Sequence, residues 1–435
     1  MDIYWLFFWV LLAICVVLYM YTRQVVNVVE DGNFLSFQKT YMVVYLLAMG
    51  GDWFQGPYVY ALYQHYGMSS HQIDILFVAG FGSSMIFGTF VGSVADKFGR
   101  RFNCVLYGIL YILSCITKHF PHFTILLVGR FLGGIATSIL YSAFESWLIC
   151  EHHKRGFNGD LLGILFSRAT LGNSLTAISA GHIAQTFADR YGYVAPFDLS
   201  IVTLVMMIVA IMYTWNENYG DSQSTITVSF GKAAEAIKQD PKVLMLGLVQ
   251  SLFEGAMYTF VLEWTPALSN PNSDKSIPHG LIFASFMVAV MIGSSVFKLL
   301  TKVRTIESFM RFVLLIAAMS LAVPVVLPDH TNVVFMAFCV FEMCVGIFWP
   351  SLGTMRGSYV PEQVRSTVMN FFRIPLNLIV IVLLIQNLKI KVVFTCCVCF
   401  LLLATVCQHI LHRFASKLPK KEISEAEDEK PMLEV

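Results

Sequence analysis

Thirteen apolar runs, most of about 20 residues, divide this chain, and a run of that length crosses the roughly 30 Å hydrocarbon core of a bilayer as one helix. The spans read as 3–21, 40–64, 71–95, 103–119, 123–149, 160–188, 193–215, 243–268, 279–301, 308–327, 333–355, 364–387 and 391–412. Only helices and closed barrels satisfy their backbone polar groups in lipid, and runs this long specify helices. The rest of the composition agrees. Charged residues are 13% of the chain, about half the roughly 25% of soluble domains, and the mean hydropathy is +0.67. The expected fold class is therefore an all-α membrane protein with the lipid bilayer as its main partner.

Several function classes fall away. A net charge of +1 without a basic stripe excludes nucleic acid. No His-rich cluster, nucleophile elbow or phosphate-cradling loop appears, so no enzyme and no cofactor are expected. Cys396, Cys397 and Cys399 cluster without paired histidines, so no metal is expected either. The ten cysteines read as small buried hydrophobes.

Charge sets an orientation. With the loop after span 71–95 placed in the cytoplasm, that side receives 21 Lys and Arg and the other side 5, while Arg130, Arg168 and Arg373 fall within spans. The positive-inside rule then puts the N-terminus outside and the acidic tail in the cytoplasm. Span 3–21 starts Met1-Asp2 with no basic region and ends in Tyr19-Met20-Tyr21 with no small-residue cleavage motif, which predicts a retained anchor rather than a signal peptide.

The chain also repeats itself. Asp52 and Glu254, each in the first span of a six-span block, are 202 residues apart, and Arg168 and Arg373, each in the fifth, are 205 apart. Phe166-Ser167-Arg168 with Asn173 downstream parallels Phe371-Phe372-Arg373 with Asn377 downstream. This duplication predicts an extra N-terminal helix and cytoplasmic loop (1–39), a six-helix bundle (40–215), a linker (216–242), a second six-helix bundle (243–412) and a disordered acidic tail (413–435).

Two motifs then narrow the class. The loop Gly92-Ser93-Val94-Ala95-Asp96-Lys97-Phe98-Gly99-Arg100-Arg101 resembles the signature loop of the major facilitator superfamily. Its chemistry is readable directly: Gly92 permits close packing, Gly99 a tight turn, Asp96 a helix-end cap, and Arg100 and Arg101 an inner-face anchor. Gly129-Arg130-Phe131-Leu132-Gly133-Gly134 resembles the fourth-helix motif of that superfamily. A buried arginine needs a partner, and the resemblance implies that Arg130 pairs with Asp52. The alternative is an ion pair that only keeps helices in register.

Longer stretches are similar to the molybdate-anion transporter family of the superfamily. They are Asp52-Trp53-Phe54-Gln55-Gly56-Pro57-Tyr58, Leu140-Tyr141-Ser142-Ala143-Phe144-Glu145-Ser146-Trp147, Phe253-Glu254 with Glu263-Trp264-Thr265-Pro266, and Asn370-Phe371-Phe372-Arg373-Ile374-Pro375-Leu376. The resemblance implies import of molybdate, or a related tetrahedral oxyanion, by alternating access at the plasma membrane by a monomer. Composition and spacing do not identify the anion. A carrier of another small anion, or a transporter-like sensor without flux, stays open.

A dianion needs fixed positive charge and several donors. Arg168 and Arg373 are the expected pair, with Tyr58, Tyr141, Tyr258, Asn173 and Asn377 as neutral donors. Otherwise each arginine forms a local salt bridge with Glu145 or Glu342. Moving a dianion into a cell at negative potential costs roughly 2.3 kcal/mol per charge per 100 mV, so protons are the expected co-substrate. Asp52 and Glu254 are their candidate carriers.

Overall fold

A computed structural model describes residues 3–25, 32–220, 226–268, 278–386 and 388–416. Of the expected disordered tail (413–435), residues 413–416 instead continue the last helix, and those from 417 lie outside the described residues. Helix α1 (Ile3–Val25) stands first. The first half comprises α2 (Gly32–Trp53), α3 (Val59–His65), α4 (Ser70–Phe98), α5 (Arg100–Ile116), α6 (Phe123–Leu140), α7 (Ala143–Lys154), α8 (Gly159–Tyr191) and α9 (Ala195–Thr214). Helix α10 (Ile226–Gln239) follows within the expected linker. The second half comprises α11 (Pro241–Leu268), α12 (His279–Val303), α13 (Ile306–Val326), α14 (Thr331–Tyr359), α15 (Arg365–Gln386) and α16 (Ile390–Ser416). Among the described residues, eleven helices are long and apolar enough to cross a membrane, or twelve with the bent α4. The remaining expected span, 40–64, is α2 and α3, interrupted by a 3₁₀ turn at Gly56–Tyr58.

Two expected spans are broken, and the chain repairs both in the same way. Near Pro57 the Gln55 amide N–H turns to the Asp52 carbonyl, which strips the Gly51 carbonyl of its helical donor. The Gln55 side chain and the Ser200 hydroxyl replace it, donating to Gly51 at 3.0 and 2.5 Å. Between α6 and α7 the Ser142 N–H turns to Ile139, and the Ser142 hydroxyl donates to the abandoned Ser138 carbonyl at 2.7 Å. In each case the side chain four residues on stands in for its own backbone, so the Gly51 and Ser138 carbonyls keep a donor.

The halves are built alike. Helix α4 packs on α6 as α12 packs on α14, and α9 closes the first half against α2 and α5 as α16 closes the second against α11 and α13. Glycines permit the closest approaches: a Cβ on Gly293 or Gly346 would collide with the backbone carbonyl of Met343 or Val290. Two seams join the halves, α4 against α15 and α8 against α12.

Helix α1 follows neither half of the repeat. It packs along α12, with Cys15 buried against Val288 and Ile292, and reaches Ile178 of α8. Tyr4 and Phe7 meet the ring of Phe335 on α14.

Candidate functional site

We call the end of the bundle that carries the Lys- and Arg-rich loops the basic end. There the expected signature loop locks the halves together. Gly99 adopts φ 116°, a conformation that favours glycine, and the Glu217 carboxylate caps the helix that follows, accepting from the Arg101 and Phe102 N–H groups at 2.8 and 3.0 Å. The wholly buried Asp96 caps the partner helix across the seam. It accepts from the Thr367 N–H and hydroxyl at 3.0 and 2.9 Å and from the Ser366 N–H at 3.4 Å, sealing the N-terminus of α15 across the seam. Arg100 joins Asp96 at 3.1 Å and bonds Glu362, which also takes Arg365. A Cβ on Gly92 would lie 2.7 Å from the Ser366 carbonyl, so glycine is what lets α4 and α15 meet.

Two further ties join the halves on the other seam and within the bundle. The Ser167 hydroxyl donates to the Ser294 carbonyl at 2.6 Å, and Arg356 of α14 binds Glu145 of α7 at 2.5 Å. At mid-span the Asn377 amide donates to Ser84 at 3.4 Å. Toward the opposite end, Tyr58, Tyr63, Leu76, Leu126 and Phe197 form an apolar cluster belonging to the first half alone.

The interior holds a polar cluster centred on Arg373. Its guanidinium lies 4.8 Å over the Tyr141 ring, whose other neighbours are the Trp349 ring and the Tyr258 phenol. Tyr258 in turn meets Phe81. Glu254 approaches Arg373 only to 3.9 Å, too far for a hydrogen bond. Arg373 is 3% exposed, yet its Nε and Nη1 donors have no hydrogen-bond partner. Buried donors left unmet cost about 1–3 kcal/mol each, more when charged. A cation in this state is poised for an anion.

Several expected partnerships differ from those found. Arg130 does not pair with Asp52: it donates to the Leu76 carbonyl at 3.1 Å and lies 4.9 Å over the Phe77 ring. Asp52 accepts instead from the Tyr111 hydroxyl at 2.5 Å. The side chain of Asp52, in the last turn of α2, thus faces α5 rather than α6. Arg168 donates to Gln38 of α2, whereas Arg373 lies over Tyr141 and faces Glu254. The acids also redistribute: Glu145 takes Arg356, Glu254 faces Arg373, and Glu342 is buried on α14 beside Cys339.

The neutral donors divide in the same way. Tyr141 and Tyr258 are in the cluster, and Asn377 spans the halves at its margin. Asn173 is occupied as the acceptor of the Trp53 indole N–H at 2.8 Å. Tyr58 donates to Gln185 at 2.8 Å, toward the opposite end.

Sequence reasoning missed three buried cations. Arg356 falls just past the expected span 333–355, but α14 continues to Tyr359 and buries it at 3% exposure. Lys118, one of the five cations counted outside, is 1% exposed and donates to the Tyr63 hydroxyl at 2.8 Å, and Arg365, which bonds Glu362, is 2% exposed. The signal for Arg356 was available in Trp349-Pro350-Ser351-Leu352-Gly353, a segment with no charge to end the helix before Arg356.

Residues 3–345 match the sequence family described as sugar transporters with twelve transmembrane segments. The chain is 35% identical over 365 residues to the molybdate-anion transporter of Xenopus tropicalis, covering 81% of this chain and 79% of that protein. It is 32% identical to the molybdate-anion transporter of Takifugu rubripes, over 85% of this chain and 84% of that one. Among solved structures, a bacterial homologue of the iron transporter ferroportin in an outward-facing state superposes with a TM-score of 0.72 at 13% identity, covering 87% of this chain and 99% of the other. That likeness speaks to the fold.

Proposed function

The chain belongs to the molybdate-anion transporter family of the major facilitator superfamily, and from that premise we propose that it carries molybdate across the plasma membrane by alternating access, coupled to protons. The observation that carries this reading is the buried guanidinium of Arg373, with two unmet donors where the halves meet. A tetrahedral dianion would supply the acceptors. Tyr141 and Tyr258 stand ready as hydroxyl donors beside it. The second half alone would contribute the cation.

The orientation follows from the loop charges: the basic end faces the cytoplasm and α1 begins outside. With the halves tied from Asp96 to Glu145 at that end, the anion would enter from the opposite end. Transport then requires the basic end to open. Import of a dianion against a negative interior costs roughly 4.6 kcal/mol per 100 mV, so two or more positive charges must travel with it. Glu254 is the favoured carrier, since it is the acid that faces Arg373, where the arriving anion would compete with it.

The experiment is uptake of labelled molybdate into vesicles containing the purified full chain, with Arg373→Gln as control. Uptake by the parent that rises as external pH falls, and is lost in the variant, is expected. Molybdate binding without flux would make the protein a sensor. Neither binding nor flux would remove molybdate as its ligand.

A further inference from the structure

Gln250 and Arg356 connect the Arg373 cluster to the closure at the basic end, and we infer that they are positioning residues of a switch: an anion on Arg373 makes Glu254 exchange Arg373 for Arg356, which draws Arg356 away from Glu145 and parts the halves. The inference rests on the reading of Arg373 as the anion site.

The residues form a row. Gln250 and Glu254 stand four residues apart on one face of α11. The Gln250 carbonyl oxygen accepts from Arg356 Nη1 at 3.2 Å, and its amide adjoins the Glu254 carboxylate. Arg356 Nη2 holds Glu145 at 2.5 Å. Gln250, Glu254 and Arg356 are 2%, 1% and 3% exposed, so water does not screen the row.

Its bonding is unfinished at each point where a partner must change. Glu254 Oε2 has no hydrogen bond and sits 3.9 Å from Arg373. Arg356 Nε and Glu145 Oε1 also lack partners. Glu254 therefore holds Arg373 weakly, while Arg356 has a donor to spare. Arg356 already acts on Glu254 electrostatically, second only to Arg373 among the cations near it.

Membership of the two halves gives the switch its direction. Arg373, Glu254, Gln250 and Arg356 all belong to the second half, and Glu145 belongs to the first. In the empty state Arg356 is neutralised across the seam. An anion on Arg373 repels the Glu254 carboxylate along the row, and Arg356 then finds its counter-charge within its own half. In the bound state the anion faces Arg373 and Glu254 faces Arg356, while Glu145 is left on the parting face of the first half. What changes is whether the compensation crosses between the halves, which is the differential contact that a ligand-driven transition needs.

The test reads the width of the basic end. Spin labels are placed at Lys154→Cys on α7 and Ser358→Cys on α14, both exposed positions, in the full chain with Cys150, Cys396 and Cys399 replaced by alanine. In this background sodium molybdate should shift the interspin distances upward. Gln250→Leu should bind molybdate within threefold of the parent and leave the distances unmoved. Gln250→Glu should have the opposite effect and open the basic end without molybdate, because its carboxylate competes with Glu145 for Arg356. A purely structural glutamine would not give opposite signs. Opening of Gln250→Leu by molybdate to the parent's extent, or a Gln250→Glu protein as closed as the parent, would overturn the switch. The anion reading fails separately, if Arg373→Gln binds molybdate as tightly as the parent, and the Gln250→Glu arm decides the switch without any anion.

Discussion

The two halves share a plan and differ in how they use it. In the second half the acid of the first core helix, Glu254, faces the arginine of the fifth, Arg373. At the repeat-related positions of the first half, Asp52 takes a tyrosine hydroxyl from α5 and Arg168 donates to Gln38. The same residue types at nearly the same spacing thus make an interhelical charge pair in one half and two separate polar contacts in the other. The neighbours differ: Glu254 on α11 faces Arg373 of α15, whereas Asp52, in the last turn of α2, meets the Tyr111 hydroxyl of α5. Duplication preserves where a residue lies along a span, but the packing of neighbouring helices decides what it faces.

If the charge chemistry belongs to the second half, the largest effect falls on Arg373. Arg373→Gln should weaken molybdate binding about 10- to 100-fold, the value of one charged hydrogen-bonding partner, and Arg373→Lys should recover only part, keeping the charge without the fork. Titration calorimetry on purified protein measures both. Next comes the proton. Glu254→Gln should flatten the rise of uptake with falling external pH, while Asp52→Asn should keep it. A flat profile in Asp52→Asn with a normal one in Glu254→Gln would reverse the assignment of the halves. Smaller still, Arg168→Gln should leave affinity within about threefold, below the roughly 1.4 kcal/mol that a tenfold change represents. Equal losses from Arg168 and Arg373 would restore the symmetric pair.

The smallest effect concerns the two breaks, both in the first half. Gln55→Ala and Ser142→Ala each remove a side-chain donor to an abandoned carbonyl and should cost about 1 kcal/mol of stability, read as a fall of a few degrees in the melting temperature. Full stability in both would mean that the breaks need no repair.

The sequence announced the spans well: 193–215 became Ala195–Thr214, and 308–327 became Ile306–Val326. Apolar length depends on composition alone, so it survives any packing. The loop from Gly92 to Arg101 was also legible, since the Gly99 turn is local, but the bonds of Asp96 to Ser366 and Thr367, 270 and 271 residues on, were not. The linker helix α10 could have been read from Phe230, Ala233, Ala234 and Ile237, which fall at helical spacing. The Glu145–Arg356 tie could not: 211 residues separate its members, and neither repeats in the other half. Nor could the Asp52–Arg130 expectation be checked by depth, because matched depth says nothing about the azimuth of a broken helix.

Helix α1 has a consequence for the surroundings rather than the interior. In sequence it leads into the first half, yet it lies along α12 and α14 of the second and touches α8 over the seam. One flank of the molecule is therefore shielded by a full-length helix, while the other, α4 against α15, carries short α10 at its basic end. The internal twofold ends at the lipid. The molecule has a left and a right: a long helix lines the flank at one seam, and at the other α10 meets α4 and α15.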